Sequence, residues 1–138
     1  MKSKKIILDT NLWISFLISN KFNQLDKLIE KNKVRLIFSE ELLEEFTEVV
    51  SRPKFKKYFS SKDIEKLLDS FNQYGELVNI KSNLQVCRDK KDNFLLNLSV
   101  DSKADYLITG DKDLLVLKEI KKTKILTFTD FIQCLKQT

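Results

Sequence analysis

Two carboxylates stand where the sequence predicts the ends of strands. Asp9 directly follows the apolar run Lys5–Leu8. Asp111 comes shortly after a second apolar run, Tyr106–Ile108, and Asp113 lies where a helix is expected to begin. Ligands of an open α/β sheet bind beside the carboxyl ends of its strands. Asp9 and Asp111 are therefore candidates for chemistry, with Asp113 as a helper or a first-turn helix acid.

Two further acids are predicted to reach the same edge of the sheet. Asp92 stands at the start of a helix predicted over 89–103, which leads into the strand before Asp111. The helix predicted over 40–50 carries five glutamates, of which Glu45 lies closest to the apolar stripe on a helical wheel. Four carboxylates gathered in one cleft would repel one another unless cations neutralise them.

Such a set of acids predicts metal-assisted hydrolysis. Oxygen ligands suit hard cations, and Mg²⁺ is usually held by one or two carboxylates together with waters and substrate phosphates. A cation held in this way would activate water for attack on a phosphodiester and offset charge on the phosphorus oxygens. The sequence does not distinguish a site with one metal ion from a site with two.

Each acid also has a purely structural interpretation. Taken singly, Asp9, Asp92 or Asp111 is typical of a residue that caps a helix N-terminus. Glu45 has the alternative of a solvated helix glutamate. Their expected convergence on one edge of the sheet favours the metal site over these separate explanations.

Composition narrows the class of protein. The 138 residues and the 42% apolar fraction predict one globular domain, over 1–138. The absence of histidine excludes a Ser-His-Asp or Cys-His nucleophile and an imidazole-bound zinc. Cys87 and Cys134 suggest neither a metal knuckle nor a disulfide framework. No apolar run is long enough to span a bilayer, so a cytoplasmic location is expected.

The order of elements predicts a parallel α/β fold. Strands are predicted at 5–8, 34–38, 76–80, 106–108 and 124–128. Helices are predicted at 12–18, 21–31, 40–50, 61–74, 89–103 and 114–118, and from 129 or 130 onwards. Gly75 is expected to cap the helix before the third strand. This alternation is typical of a three-layer α/β/α domain with a central parallel sheet of about five strands.

A basic segment follows the helix that carries Glu45. The net charge of +5 permits a polyanionic partner. Arg52–Lys62 contains no acid, and aromatic residues interrupt its cations, as on a surface that grips a nucleic-acid backbone and stacks on bases. The alternative is that Phe55 and Phe59 pack inward and the lysines are solvated. The predicted RNA-binding residues of this segment and beside the acids are Arg52, Lys54, Lys56, Lys57, Lys62, Lys90, Lys91 and Lys112.

The chain resembles the PIN-domain family, and more narrowly the bacterial PIN proteins assigned as toxins of toxin-antitoxin pairs. The resemblance spans essentially the whole chain, and its motifs occur in the family's order. It is carried by Asp9–Asn11, Ser39–Phe46, Arg52–Phe55, Arg88–Leu95 and Ala104–Leu115. Lys90 departs from the pattern, because relatives often have proline between the two acids Asp89 and Asp92.

The resemblance implies a Mg²⁺- or Mn²⁺-dependent ribonuclease with a Rossmann-like fold. Its catalytic and metal-binding acids correspond to Asp9, Glu45, Asp92 and Asp111. Supporting residues correspond to Asn11, Asp89, Thr109 and Asp113. It also implies an RNA substrate, a cognate antitoxin protein and a homodimer.

Three other classes of protein fit the sequence less well. A receiver domain or haloacid-type phosphatase also places an Asp after its first strand. This chain has Asn11 where the phosphatase pattern needs a second Asp, and its third strand ends without the acid of a receiver. A dinucleotide-binding domain needs a GxGxxG motif, but the chain has only two glycines. A non-catalytic RNA- or protein-binding module on the same fold stays open, because fold does not fix function.

Overall fold

The computed structural model describes residues 3–19, 27, 31, 33–60, 62, 65, 69, 75–87 and 90–136. The strands in this part of the chain are β1 (Lys4–Leu8), β2 (Val34–Phe38), β3 (Gly75–Leu77), β4 (Tyr106–Ile108), β5 (Glu119–Ile120) and β6 (Thr123–Leu126). They form one sheet in the order β3-β2-β1-β4-β6-β5. Strands β3, β2, β1, β4 and β6 run parallel to one another, and β5 pairs antiparallel with β6. The predicted parallel α/β fold is confirmed, with an additional short edge strand.

Helices connect the parallel strands. They are α1 (Thr10–Ser19), α2 (Glu40–Val50), α3 (Lys90–Ser102), α4 (Lys112–Leu115) and α5 (Phe128–Lys136), with a 3₁₀ turn at Pro53–Phe55. The helices predicted at 21–31 and 61–74 lie largely outside the described residues. No helix in the described ranges is long and apolar enough to cross a membrane.

Gly75 differs from its predicted role, because it is the first residue of β3 and pairs with Leu36 of β2. A glycine before an apolar run is compatible with a helix end and with a strand start, and here the neighbouring strand decides between them. The third strand is also shorter than the predicted span of 76–80.

The central strands are buried on both faces. Ile6, Ile7 and Leu8 of β1 are each at most 1% exposed, and Leu107 and Ile108 of β4 are fully buried. This is the environment that continuous apolar runs indicate in parallel sheets, where helices cover both faces. The burial fixes where each strand must end, since the next residues are polar.

The register between β1 and β4 brings two polar side chains together. Leu8 pairs with Ile108, so Asp9 and Thr109 follow at the same level of the sheet. The backbone N–H of Asp9 continues the ladder by donating to the Ile108 carbonyl at 3.1 Å. Residues that are one hundred positions apart in sequence thus become neighbours at the carboxyl edge.

Helix α2 has a strong start and one apolar face. The Ser39 hydroxyl oxygen accepts the N–H of Leu42 at 3.1 Å, which satisfies one of the free donors at the helix N-terminus. Leu42, Phe46 and Val49 are buried against the sheet. The apolar face therefore fixes the rotation of the helix about its axis and, with it, the direction of each glutamate.

A row of polar side chains on α3 holds the extended segment 81–87. The Asn93 side chain accepts the N–H groups of Val86 and Cys87, at 3.0 and 2.7 Å, and donates to the Cys87 carbonyl at 2.8 Å. Asn97 accepts the N–H of Leu84 at 2.7 Å. Asp101 accepts backbone N–H groups from Lys81 and Ser82, at 2.6 and 2.8 Å, and the Ser82 hydroxyl. We call these three side chains (Asn93, Asn97 and Asp101) the α3 polar row.

Candidate functional site

Asp9 lies at the carboxyl end of β1, and both of its carboxylate oxygens accept hydrogen bonds. The Thr109 hydroxyl donates to Asp9 Oδ2 at 2.9 Å, and the Asn11 N–H donates to Asp9 Oδ1 at 3.2 Å. The Asp9 carbonyl accepts the N–H groups of Leu12 and Trp13, at 3.0 and 3.1 Å. Asp9 therefore begins α1 while its side chain lines the space beyond the sheet.

The environment of Asp9 disfavours its negative charge. Burial raises the pKa of the Asp9 carboxyl above its ordinary value of 3.8, and the charges of Asp111 and Glu45 raise it further. The hydrogen bonds from Thr109 and Asn11 act in the opposite direction and favour the charged form. A cation placed beside these acids would relieve both the burial penalty and the repulsion.

Asp111 serves as the N-cap of α4. Its Oδ1 accepts the N–H of Asp113 at 2.9 Å, and its own N–H donates to Thr109 Oγ1 at 3.0 Å. Thr109 is 1% exposed and is thus a buried link between the ends of β1 and β4. The capping interpretation of Asp111 is correct as far as one oxygen is concerned, and its side chain also lines the same space as Asp9.

Asp92 is a buried acid in the first turn of α3, with 5% of its surface exposed. One carboxylate oxygen from each of Asp92, Asp111 and Asp113 lies within 4.8 Å of the other two. Three oxygens at this spacing fit a hard divalent cation, and substrate phosphates and waters would complete its coordination. Asp9 and Glu45 do not belong to this closely spaced group.

Glu45 projects from α2 towards the acids and has partners on both oxygens. The Lys91 ammonium lies 3.3 Å from Glu45 Oε1. The Thr10 hydroxyl donates to Glu45 Oε2 at 3.4 Å. The Glu45 side chain is 26% exposed, which is less than the 71% of Glu48 one turn along the same helix. Glu45 therefore lies on the inner side of its helix, as the position of the apolar stripe predicts.

All four predicted acids line one cavity of about 270 Å³ at the carboxyl edge of the sheet. Cationic groups line the same cavity, so it presents both acids and bases. Its charged and polar residues are Asp9, Thr10, Asn11, Glu45, Arg52, Lys54, Lys91, Asp92 and Asp111. Carboxylates beside cations could hold a metal ion and a phosphate group at the same time.

The structure divides the predicted RNA-binding residues into two groups. Arg52, Lys54 and Lys91 line the cavity with the acids. The others are exposed and do not line it: Lys56, Lys57, Lys62, Lys90 and Lys112. The first group can contact a phosphate at the acids, whereas the second could contact a polyanion only outside the cavity.

The aromatic residues of the basic segment also divide. Phe59 is 9% exposed and belongs to the core, and Phe55 packs against the core from a half-buried position. Tyr58 is 47% exposed, and the Lys57 ammonium lies 5.0 Å from the centre of its ring. Inward packing therefore describes Phe59 fully and Phe55 in part, while Tyr58 presents its ring to solvent.

The supporting residues fall in three different situations. Thr109 and Asp113 contact Asp9 and Asp111 as described, and the Asn11 backbone contacts Asp9. Asp89 lies outside the described residues. Thr10 was not among the sequence candidates, although it is 5% exposed and binds Glu45. The sequence feature that could have identified Thr10 is its position directly after Asp9, as the first residue of α1.

Comparisons with known proteins agree with this architecture. The family model described as "PIN domain" matches residues 5–113. The chain is 36% identical over 121 residues to the uncharacterized protein MJ1680 of Methanocaldococcus jannaschii, covering 86% of this chain and 77% of that protein.

Solved structures show the same fold at low sequence identity. VapBC2 from Rickettsia felis, solved bound to a DNA fragment from its promoter, superposes with a TM-score of 0.60 at 15% identity, covering 90% of this chain and 98% of that one. PAE2754 from Pyrobaculum aerophilum superposes with a TM-score of 0.59 at 16% identity, covering 97% and 91%. The match of the family model over residues 5–113, most of the length of the chain, shows that the chain belongs to the PIN-domain family.

Proposed function

We propose that this protein is an endoribonuclease that depends on Mg²⁺ or Mn²⁺ and acts as the toxin of a toxin-antitoxin pair. The observation that carries the proposal is the cavity in which four acids from four separate elements meet Arg52 and Lys54. Metal ions are held by such acids in phosphodiester hydrolysis, and the basic wall provides the contacts that an RNA backbone needs.

The residues would divide the work by position. Asp92, Asp111 and Asp113 have the spacing to hold a divalent cation. When bound, the cation supplies Lewis-acid stabilisation of the phosphoryl charge and activates water for hydrolysis. Asp9 and Glu45 line the same cavity and would orient water or share a second ion. Thr109 holds the Asp9 carboxylate in position from below.

The basic wall would position the substrate. Arg52 lies beside the cavity with both an exposed side chain and a weak ion pair to Glu48, 3.5 Å away. A guanidinium can bind a phosphate through two parallel hydrogen bonds. The contact with Glu48 uses one nitrogen of the Arg52 guanidinium and leaves its other N–H donors for a phosphate. Lys54 and Phe55 extend the same wall. An RNA strand that follows this wall would place one phosphodiester over the acids.

Incubation of the purified protein with mixed RNAs tests the activity. Cleavage is expected with Mg²⁺ or Mn²⁺ and should stop on addition of EDTA. Asp9→Asn should lose at least about a hundredfold in rate, because it removes a charge that faces the ion and the attacking water. Asp130→Asn is the matched control, since Asp130 is an exposed aspartate in the first turn of α5 and does not line the cavity.

Three results would count against the activity. Cleavage that continues unchanged in Asp9→Asn would exclude the cavity as its source. RNA binding without turnover at any metal concentration would identify a binding module instead of an enzyme. Labelling of Asp9 by acetyl phosphate would point to a phosphoacceptor protein.

A separate experiment tests the toxin role and the expected assembly. Induced expression should arrest growth, and co-expression of the proposed antitoxin should restore it. Similarity to the VapBC2 structure supports such a protein partner. Light scattering of the isolated chain should give the mass of a homodimer. Growth arrest that persists in Asp9→Asn would separate toxicity from nuclease activity.

A further inference from the structure

We propose that Lys91 is a built-in counter-ion that competes with the divalent cation for Glu45, so that metal binding and release are coupled to the opening of one ion pair. The proposal rests on the metal-binding part of the proposed function. It adds a residue that acts on metal binding through Glu45. It also predicts a metal affinity lower than the acids alone would give.

The contacts of Glu45 carry the first step. Lys91 Nζ lies 3.3 Å from Oε1, and the Thr10 hydroxyl lies 3.4 Å from Oε2. Both oxygens of the carboxylate are therefore engaged within the protein. Glu45 also lies outside the group of Asp92, Asp111 and Asp113, whose oxygens are close enough to share an ion. A cation that binds Oε1 in the same cavity would compete with the ammonium group for that oxygen.

The place of Lys91 in the chain carries the second step. Lys91 precedes the buried acid Asp92 in the first turn of α3, so one helix start supplies both a candidate ligand and a competing cation. The N-terminal turn of a helix carries partial positive charge, and a lysine there is disfavoured by the helix dipole. Its ion pair with Glu45 offsets this repulsion. The Lys91 side chain is 68% exposed, so it can swing into solvent without unpacking the core.

The charge of the cavity carries the third step. Asp9, Asp92, Asp111 and Glu45 line the same space, and like charges at that density oppose one another. The ammonium group of Lys91 supplies positive charge there when no metal ion is bound. A divalent cation supplies more, and in its presence the Lys91 ammonium is repelled and can turn to an arriving phosphate. The exchange would thus turn the same lysine from a partner of Glu45 into a partner of the substrate.

Calorimetric titration with Mn²⁺ in the absence of RNA tests the proposal. Lys91→Met should bind Mn²⁺ about two- to fivefold more tightly than the wild type, the factor that corresponds to a partly exposed ion pair. Lys91→Arg keeps the charge and should restore wild-type affinity. Lys122→Met loses the same charge just before β6, at the opposite end of the sheet from the cavity, and should change nothing.

A double-mutant cycle with Glu45→Gln separates the ion pair from a general field effect. If Lys91 acts through Glu45, Lys91→Met should no longer tighten Mn²⁺ binding in the Glu45→Gln background. Equal tightening in both backgrounds would overturn the proposal, and so would an unchanged or weaker affinity in Lys91→Met. Absence of Mn²⁺ binding in the wild type and in Lys91→Met would also overturn it. The titration contains no RNA, so its result does not depend on whether the protein cleaves RNA. Failure of the ribonuclease assay and failure of this proposal can therefore be told apart.

Discussion

Thr109 donates its hydroxyl to the Asp9 carboxylate at 2.9 Å and accepts the N–H of Asp111 at 3.0 Å. One buried side chain thus sets the distance between two acids that belong to different strands. The contact exists because Leu8 and Ile108 are paired in the sheet. The register of the two strands and the Thr109 side chain therefore together hold the two acids near each other.

Thr109→Val should destabilise the protein and disturb the acids. The substitution keeps the shape but leaves the Asp111 N–H without its acceptor and Asp9 without its donor. We expect a loss of about 1–3 kcal/mol in the free energy of unfolding, which urea denaturation would measure. Thr109→Ser retains the hydroxyl and should recover most of the loss. Equal stability of the valine variant and the wild type would show that the hydroxyl bonds contribute nothing.

The pH dependence of stability should carry the sign of a raised carboxyl pKa. Because the folded protein holds the Asp9 proton at higher pH than the unfolded chain, its stability should fall as pH rises from 3.8 through the raised pKa. The measurement is unfolding in EDTA as a function of pH, and Asp9→Asn should flatten the slope. Added Mn²⁺ should raise stability at neutral pH by mass action, by about 2.7 kcal/mol at a hundredfold excess over its Kd.

Asp101 should give a pH dependence of the opposite sign. Burial alone would raise its pKa, but the hydrogen bonds from the Ser82 side chain and from the Ser82 and Lys81 backbone outweigh it and lower the pKa below 3.8. Its contribution to stability is therefore complete above that pH and is lost as pH falls through the lowered pKa. Asp101→Asn should lower the unfolding free energy by about 1 kcal/mol at pH 7, a value reduced for its exposure. Persistence of the wild-type acid transition in this variant would refute the assignment.

Arg52 and Lys54 should matter more for RNA than the lysines that follow them. Both line the cavity, whereas Lys56 and Lys57 do not. Replacing Arg52 and Lys54 by Met should raise KM for RNA about tenfold. It should also reduce the slope of log affinity against log salt concentration by the amount that corresponds to about two phosphate contacts. The same double change at Lys56 and Lys57 controls for net charge and should have a smaller effect. Equal effects from the two pairs would indicate diffuse attraction in place of a defined wall.

Local sequence patterns were sufficient for the parallel strands and for the direction of Glu45. Continuous apolar runs mark strands that are buried on both faces, and polar residues then mark their ends. The apolar face of α2 fixes its rotation, so one glutamate among five could be assigned to the inner side. These features depend on neighbours within one element, which a sequence displays directly.

Long-range contacts account for what the sequence did not display. Strand β5 has two residues and exists only because β6 pairs with it. The Lys91–Glu45 ion pair joins two helices whose approach depends on the whole sheet. A glycine directly before Asp111 suggests a turn that needs glycine, yet the φ of Gly110 is not positive and a Cβ there would meet nothing within 4 Å. Glycine is thus not required at that position by conformation or space.

The α3 polar row has a consequence for the evolution of loop length. Four residues of helix rise about 6.0 Å, and two residues of extended chain rise about 6.6 Å. Side chains one turn apart on α3 therefore meet the N–H groups of Ser82, Leu84 and Val86, which are two residues apart. The helix spacing and the spacing of the extended segment therefore match. Adding or deleting one residue in that segment would turn its N–H groups away from Asn97. Two residues, by contrast, shift the chain by one full repeat and keep its alternation. Related chains should therefore differ in this segment by even numbers of residues.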